Sequence, residues 1–165
     1  MIKVAGNVII VLVREDGGKE VQTTRNIVTN EGDKFYAQRI CGETPTYNFN
    51  TIVLGNGTQP TWSKTSTYGT LNGAISASMK AVASGYPRTN DDDPDNAGAG
   101  PNIVTWKFVW SGGDFSAVNV NQAVITVGNP SSNSPILTGF NITPPRNKAL
   151  NDILKIFVNH VITGT

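Results

Sequence analysis

"NDILKIFVNHVIT", residues 151–163, is the stretch whose reading decides the fold. Successive side chains of a strand point to opposite faces. Leu154, Ile156, Val158, His160 and Ile162 therefore share one face, and Ile153, Lys155, Phe157, Asn159 and Val161 the other. Both faces are largely apolar, and the apolar positions recur every two residues on each, which is a strand period and not a helical one. Such a strand is covered on both sides, either by a second sheet and a helix or by a neighbouring subunit. Phe157 and His160 are accordingly candidate interface residues.

Upstream, Val4–Val13 is β-rich, and the Asp16-Gly17-Gly18 that follows suits a tight hairpin into a second strand from about Glu20 to Val28. The N-terminal run reads as a strand and not as a signal peptide: its apolar centre is short and leads straight into Arg14-Glu15-Asp16. "TNEGDKFYAQRICG" carries Asn30 as an N-cap, Glu31 and Asp33 in the first turn, Arg39 near the end and Gly42 as a stop. These predict one short helix at about residues 32–41 with Phe35, Ala37, Ile40 and Cys41 on a partly apolar face. Further strands are expected at Phe49–Leu54, Ala74–Ser84, Ile103–Trp110, Val118–Val127, Ile136–Ile142 and Asp152–Ile162, with helix as the competitor over Ala74–Ser84. Residues 84–101, dense in Gly, Pro, Asn and Asp without apolar periodicity, read as a long surface loop. The expected architecture is one mainly β domain over residues 1–165: an antiparallel β-sandwich, jelly-roll-like, with one helix.

Bulk properties narrow the function. Of 165 residues 15% are charged, against roughly 25% in ordinary domains. The formal net charge is +1 without a basic cluster, which disfavours nucleic acid as a partner. No apolar run is long enough for a membrane helix. Cys41 is the only cysteine, so neither an internal disulfide nor a cysteine zinc site is available.

Four constellations bear on chemistry. "LGNGTQPTWSK", residues 54–64, resembles a phosphate cradle at first, but Gly55 and Gly57 are one apart, Lys64 follows Ser63, and Pro60 stands where a dinucleotide fingerprint needs its third glycine. The stretch instead lets the chain leave a strand, and Trp62 and Tyr68 after it are either loop anchors or interface contacts. Asp91, Asp93 and Asp95 are spaced as in a calcium loop, yet Asn96 stands at the sixth position and Asn102 at the twelfth, so a solvated acidic loop is favoured over a metal site. His160 is the only histidine, and no nucleophile elbow accompanies it. Asn56-Gly57-Thr58 and Asn141-Ile142-Thr143 match the glycosylation triplet by chance. No cofactor site and no enzymatic constellation emerges.

"NIVTNEGDKFYAQRI" (residues 26–40), followed by "FNTIVLGNGTQPTWSKTSTYGTL" (residues 49–71), resembles the N-terminal half of small tailed-bacteriophage virion proteins. The matching positions are Val28, Thr29, Asn30, Gly32, Arg39, Ile52, Gly55, Gly57, Thr58, Pro60, Thr67 or Thr70, and Leu71. The resemblance implies a non-enzymatic β-sandwich building block that assembles as a symmetric oligomer on the head or tail. The leading expectation is a capsid decoration (cement) protein on the virion exterior, a homotrimer bridging major capsid proteins. A tail, collar or baseplate component is the alternative, and a carbohydrate-binding fibre module using Trp62, Tyr68 or Tyr86 is the alternative of another class.

Overall fold

A computed structural model describes residues 2–164. The chain forms β1 (Ile2–Val13), β2 (Lys19–Val28), α1 (Asn30–Ile40), β3 (Thr51–Gly55), β4 (Lys80–Ala81), β5 (Ile103–Trp110), β6 (Ala117–Thr126), β7 (Ile136–Lys148) and β8 (Ile153–Gly164). All strands belong to one antiparallel sheet in the order β4-β3-β6-β7-β2-β1-β8-β5. The sheet curls until its ends nearly meet: Ala83 N–H donates to Lys107 C=O (2.8 Å), and Arg88 and Thr105 exchange backbone bonds of 3.1 and 2.8 Å. Mainly β architecture with one helix is therefore observed, as one barrel-like sheet in place of the two packed sheets of the expected sandwich. The alternation in β8 is common to both, because a barrel wall also has an inside and an outside.

The inside is filled from every direction. Val8, Ile10 and Leu12 of β1, Trp106, Phe108 and Trp110 of β5, Leu154, Ile156 and Val158 of β8, Ile52 and Leu54 of β3, Ile125 of β6 and Phe140 of β7 form one cluster. Burying each such side chain contributes roughly 1.5–3 kcal/mol. Helix α1 adds Phe35 and Tyr36 to the same cluster, with Phe35 edge-on to Tyr36 and Phe49 at ring distances of 5.4 and 5.6 Å. Its N-cap is Thr29, whose side chain accepts from Gly32 N–H, one residue before the expected Asn30. Of the apolar face expected from Phe35, Ala37, Ile40 and Cys41 only Phe35 is buried, and the other three are exposed.

Two strand boundaries differ from expectation for local reasons. Over residues 74–84 only Lys80–Ala81 pairs as a strand, preceded by a 3-10 turn at Ser76–Ser78. The buried Ser78 hydroxyl there accepts from Leu54 N–H and donates to Ile75 C=O, so a side chain takes a bond that a ladder neighbour would otherwise make. Strand β7 continues through Thr143-Pro144-Pro145, expected as a turn. The register jumps from Gln122↔Asn141 to Val120↔Arg146. Both prolines thus fall in a bulge, where they have no ladder donor to supply.

Candidate functional site

His160 lies fully buried inside the barrel, not at an interface. Gly6 on β1 is the cross-strand partner of both Asn26 on β2 and His160 on β8. A Cβ at Gly6 would stand 1.3 Å from Asn26 Oδ1, so the missing side chain is the gap through which Asn26 reaches across β1. Asn26 Nδ2 lies 2.7 Å from His160 Nε2 and 2.6 Å from Thr138 Oγ1. With Nε2 accepting, Nδ1 carries the proton and donates to the Tyr36 hydroxyl at 2.5 Å, which also accepts from Trp106 Nε1 at 2.9 Å. A protonated imidazole would turn a second N–H against the Asn26 amide donor. Burial accordingly holds the His160 pKa down at about 3 and pushes the Tyr36 phenol well above its ordinary range. The assembly pins α1 to the barrel wall.

This has a pH consequence. In the unfolded chain the sole histidine takes up a proton near 6.5, while the folded state refuses it until about 3. The unfolded state therefore binds more protons between those values, and stability falls as pH drops from 6.5 towards 3, at up to on the order of 1 kcal/mol per unit. Urea midpoints measured from pH 7 to 4 should show this slope in the parent chain, and His160→Gln should flatten it. An unchanged slope in that variant would remove His160 as its source.

The acidic loop is a strap laid over the outside of the barrel. Its carboxylates diverge onto cations in place of converging on a metal position. Asp93 meets Lys107 Nζ at 2.6 Å, Asp95 meets Lys155 Nζ at 3.1 Å and also Lys19, and Asp91 meets Arg88 at 3.0 Å. Among the described residues no group of three His, Cys, Asp or Glu side chains is placed to hold a metal. Asp91 also accepts from the Tyr86 hydroxyl (2.5 Å) and from Asn96 Nδ2 (2.9 Å). Burial alone would raise its pKa, but these bonds outweigh burial and hold the carboxyl at about 2. Burial and the same carboxylate push the Tyr86 phenol up to about 12. Asn96 bridges further to Thr105 and Asn159. Because the strap grips Lys155 and Asn159, which flank Phe157 on β8, it covers Phe157, fully buried with Ile9 and Val11 in a small outer cluster. Phe157 thus serves its own strap and is not open to a neighbour.

A second pad covers the outside of β3, β6 and β7. Trp62 and Tyr68 pack on Val53, Leu71, Val124 and Ile136. The Trp62 indole lies on Gly139, where a Cβ would come within 2.3 Å of the ring, and its Nε1 donates to Asn141 Oδ1 at 2.9 Å. The Gly55–Trp62 turn is tied down by Asn72, which donates to Thr58 C=O, by Asn121 and Gln122, which donate to Gly57 C=O, and by its own Gln59, whose side chain donates to Asn121 C=O. Of the two readings open for Trp62 and Tyr68, the geometry is that of loop anchors, each half-buried.

What the structure offers as a site lies elsewhere. A cleft of about 690 Å³ opens beside α1, lined by Lys3, Val4 and Ala5 of β1, by Tyr36, Ala37, Ile40 and Cys41, and at its border by Asp33 and Lys64, an ion pair of 2.7 Å. Its size is that of a ligand or side-chain pocket. Sequence reasoning missed it, although Ala37, Ile40 and Cys41 form an i, i+3, i+4 triplet distinct from Phe35 and Tyr36, the signature of a second apolar helix face. No family model, no curated protein and no solved structure matches this chain.

Proposed function

We propose that the chain is a virion building block of a tailed bacteriophage, a capsid decoration protein that bridges major capsid proteins on the head exterior as a homotrimer. The observation that supports this reading is that the two separated stretches resembling virion proteins meet in the fold. Asn30 N–H, at the start of α1, donates to Lys64 C=O at 2.8 Å and Lys64 Nζ pairs with Asp33, while Gly32 seats the helix on β7, where a Cβ would come within 2.4 Å of Leu137 C=O. Leu71, at the signature's end, is buried under the Trp62 pad. The two stretches therefore form one unit, the helix and pad joined on the barrel. Two further features support a part that works by contact and not by chemistry: its histidine is sealed from solvent, and its long polar loops are fastened down into a rigid surface.

The glycan-module alternative is weakened by Trp62, whose ring face and N–H are already committed to Gly139 and Asn141. Purified chain is expected to sediment as a trimer and to raise the temperature at which empty phage shells disrupt, as a ligand specific for the assembled state must. Sedimentation with tails and none with shells would move it to the tail. Retention on host polysaccharide lost in Trp62→Ala would restore the glycan reading.

A further inference from the structure

Strand β1 outruns its neighbour. Its pairing with β2 ends at Gly6↔Asn26, whereas its pairing with β8 continues to Ile2↔Gly164. Residues 3–5 thus have β8 on one side and, on the other, the cleft of about 690 Å³ whose far wall is α1. An antiparallel strand turns its N–H and C=O groups alternately to its two sides, so this segment presents backbone donors and acceptors to the cleft. The helix wall opposite is apolar, with Ala37, Cys41 and Ile40, the last 56% exposed. Lys3 borders the same cleft and belongs to none of the ion pairs among the described residues, while Lys64 is engaged by Asp33.

We propose that this cleft binds an extended segment of a partner polypeptide. The segment adds a strand to the free edge of β1, packs an apolar side chain against Ala37 and Ile40, and sets a carboxylate beside Lys3. An acyl chain would use the apolar wall and the cation but leave the strand edge unpaired. A second copy of this chain would bring its own α1 to the same edge, into a space that takes one strand about 4.8 Å from β1. A single extended strand with alternating apolar and acidic residues satisfies all three features. The inference stands apart from the virion reading; in a virion the segment would belong to a neighbouring subunit.

The test uses the full chain and a fluorescein-labelled hexapeptide of alternating valine and glutamate, followed by anisotropy, with a valine–lysine peptide as comparison. The acidic peptide should bind saturably and about tenfold or more tighter than the basic one. Ala37→Trp, which fills the cleft from an exposed position, and Lys3→Glu should each weaken it about tenfold or more with unchanged circular dichroism. Amide exchange at Val4, whose N–H turns to the cleft, should slow on binding, while that at Ala5, whose N–H turns to β8, should change little. Absence of binding at millimolar peptide, equal binding of both peptides, or indifference to both variants would overturn the proposal. So would saturable binding of dodecanoate with no peptide binding, which assigns the cleft to an acyl ligand, or dimerisation of the chain abolished by Ala37→Trp, which assigns it to a second copy.

Discussion

Gly6→Ala is expected to destabilise the chain by about 2–4 kcal/mol, a large cost for adding one methyl group to a strand. Alanine suits a strand backbone no worse than glycine does, so propensity alone would predict no loss. The cost arises from where the methyl goes: 1.3 Å from Asn26 Oδ1 and 2.1 Å from its Cγ. Asn26 must swing away, and His160 Nε2 and Thr138 Oγ1, both buried, then lose its amide donor. A buried polar group left unpaired costs about 1–3 kcal/mol. Urea denaturation should show a lowered midpoint at constant slope. Asn26→Ala decides the mechanism, because without the asparagine side chain the added methyl has nothing to strike. The double variant should be no less stable than Asn26→Ala alone, giving a coupling comparable to the whole effect of Gly6→Ala. Strictly additive losses would mean that Gly6 matters for another reason.

That glycine also shows where the sequence stops being legible. Strand periods survive in the text because each residue's face follows from its neighbours' spacing, and β5 was expected over the residues it occupies, Ile103–Trp110. The role of Gly6 depends on three strands from both ends of the chain, with Asn26 and His160 separated by 134 residues. No local pattern encodes that. The same limit explains the sandwich expectation: β8 correctly demanded cover on both faces, but nothing in residues 151–163 says whether the cover is a sheet, a subunit or a strap. Residues 84–101 were readable as a loop for lack of periodicity, while their attachment depends on Lys19, Lys107, Lys155 and Asn159, scattered over three strands. The cleft beside α1 was half legible, since the Ala37, Ile40 and Cys41 face is local and the free edge of β1 is a matter of register.

Asn96→Ala should unlatch the strap. Asn96, 5% exposed, donates to Asp91 Oδ2, Thr105 Oγ1 and Asn159 Oδ1 at 2.9, 3.2 and 3.1 Å, and its own Oδ1 accepts from Asn159 Nδ2 at 2.8 Å. Truncation leaves the amide of Asn159, itself 1% exposed, without that acceptor and takes a donor from a buried carboxylate, for an expected loss of about 2–4 kcal/mol. The surrounding ion pairs cannot substitute, because Lys19, Lys107 and Lys155 hold the strap at its charged margin while Asn96 holds it to the floor of the sheet. Asp92→Ala is the contrast: its side chain is 86% exposed, and exposed ion pairs contribute little, so a change within about 0.5 kcal/mol is expected. Limited proteolysis should cut residues 84–101 faster in Asn96→Ala than in Asp92→Ala, and binding of an apolar dye should rise as Phe157, Ile9 and Val11 lose their cover. Equal proteolysis and equal stability in the two variants would show that the acidic residues carry the strap by charge alone.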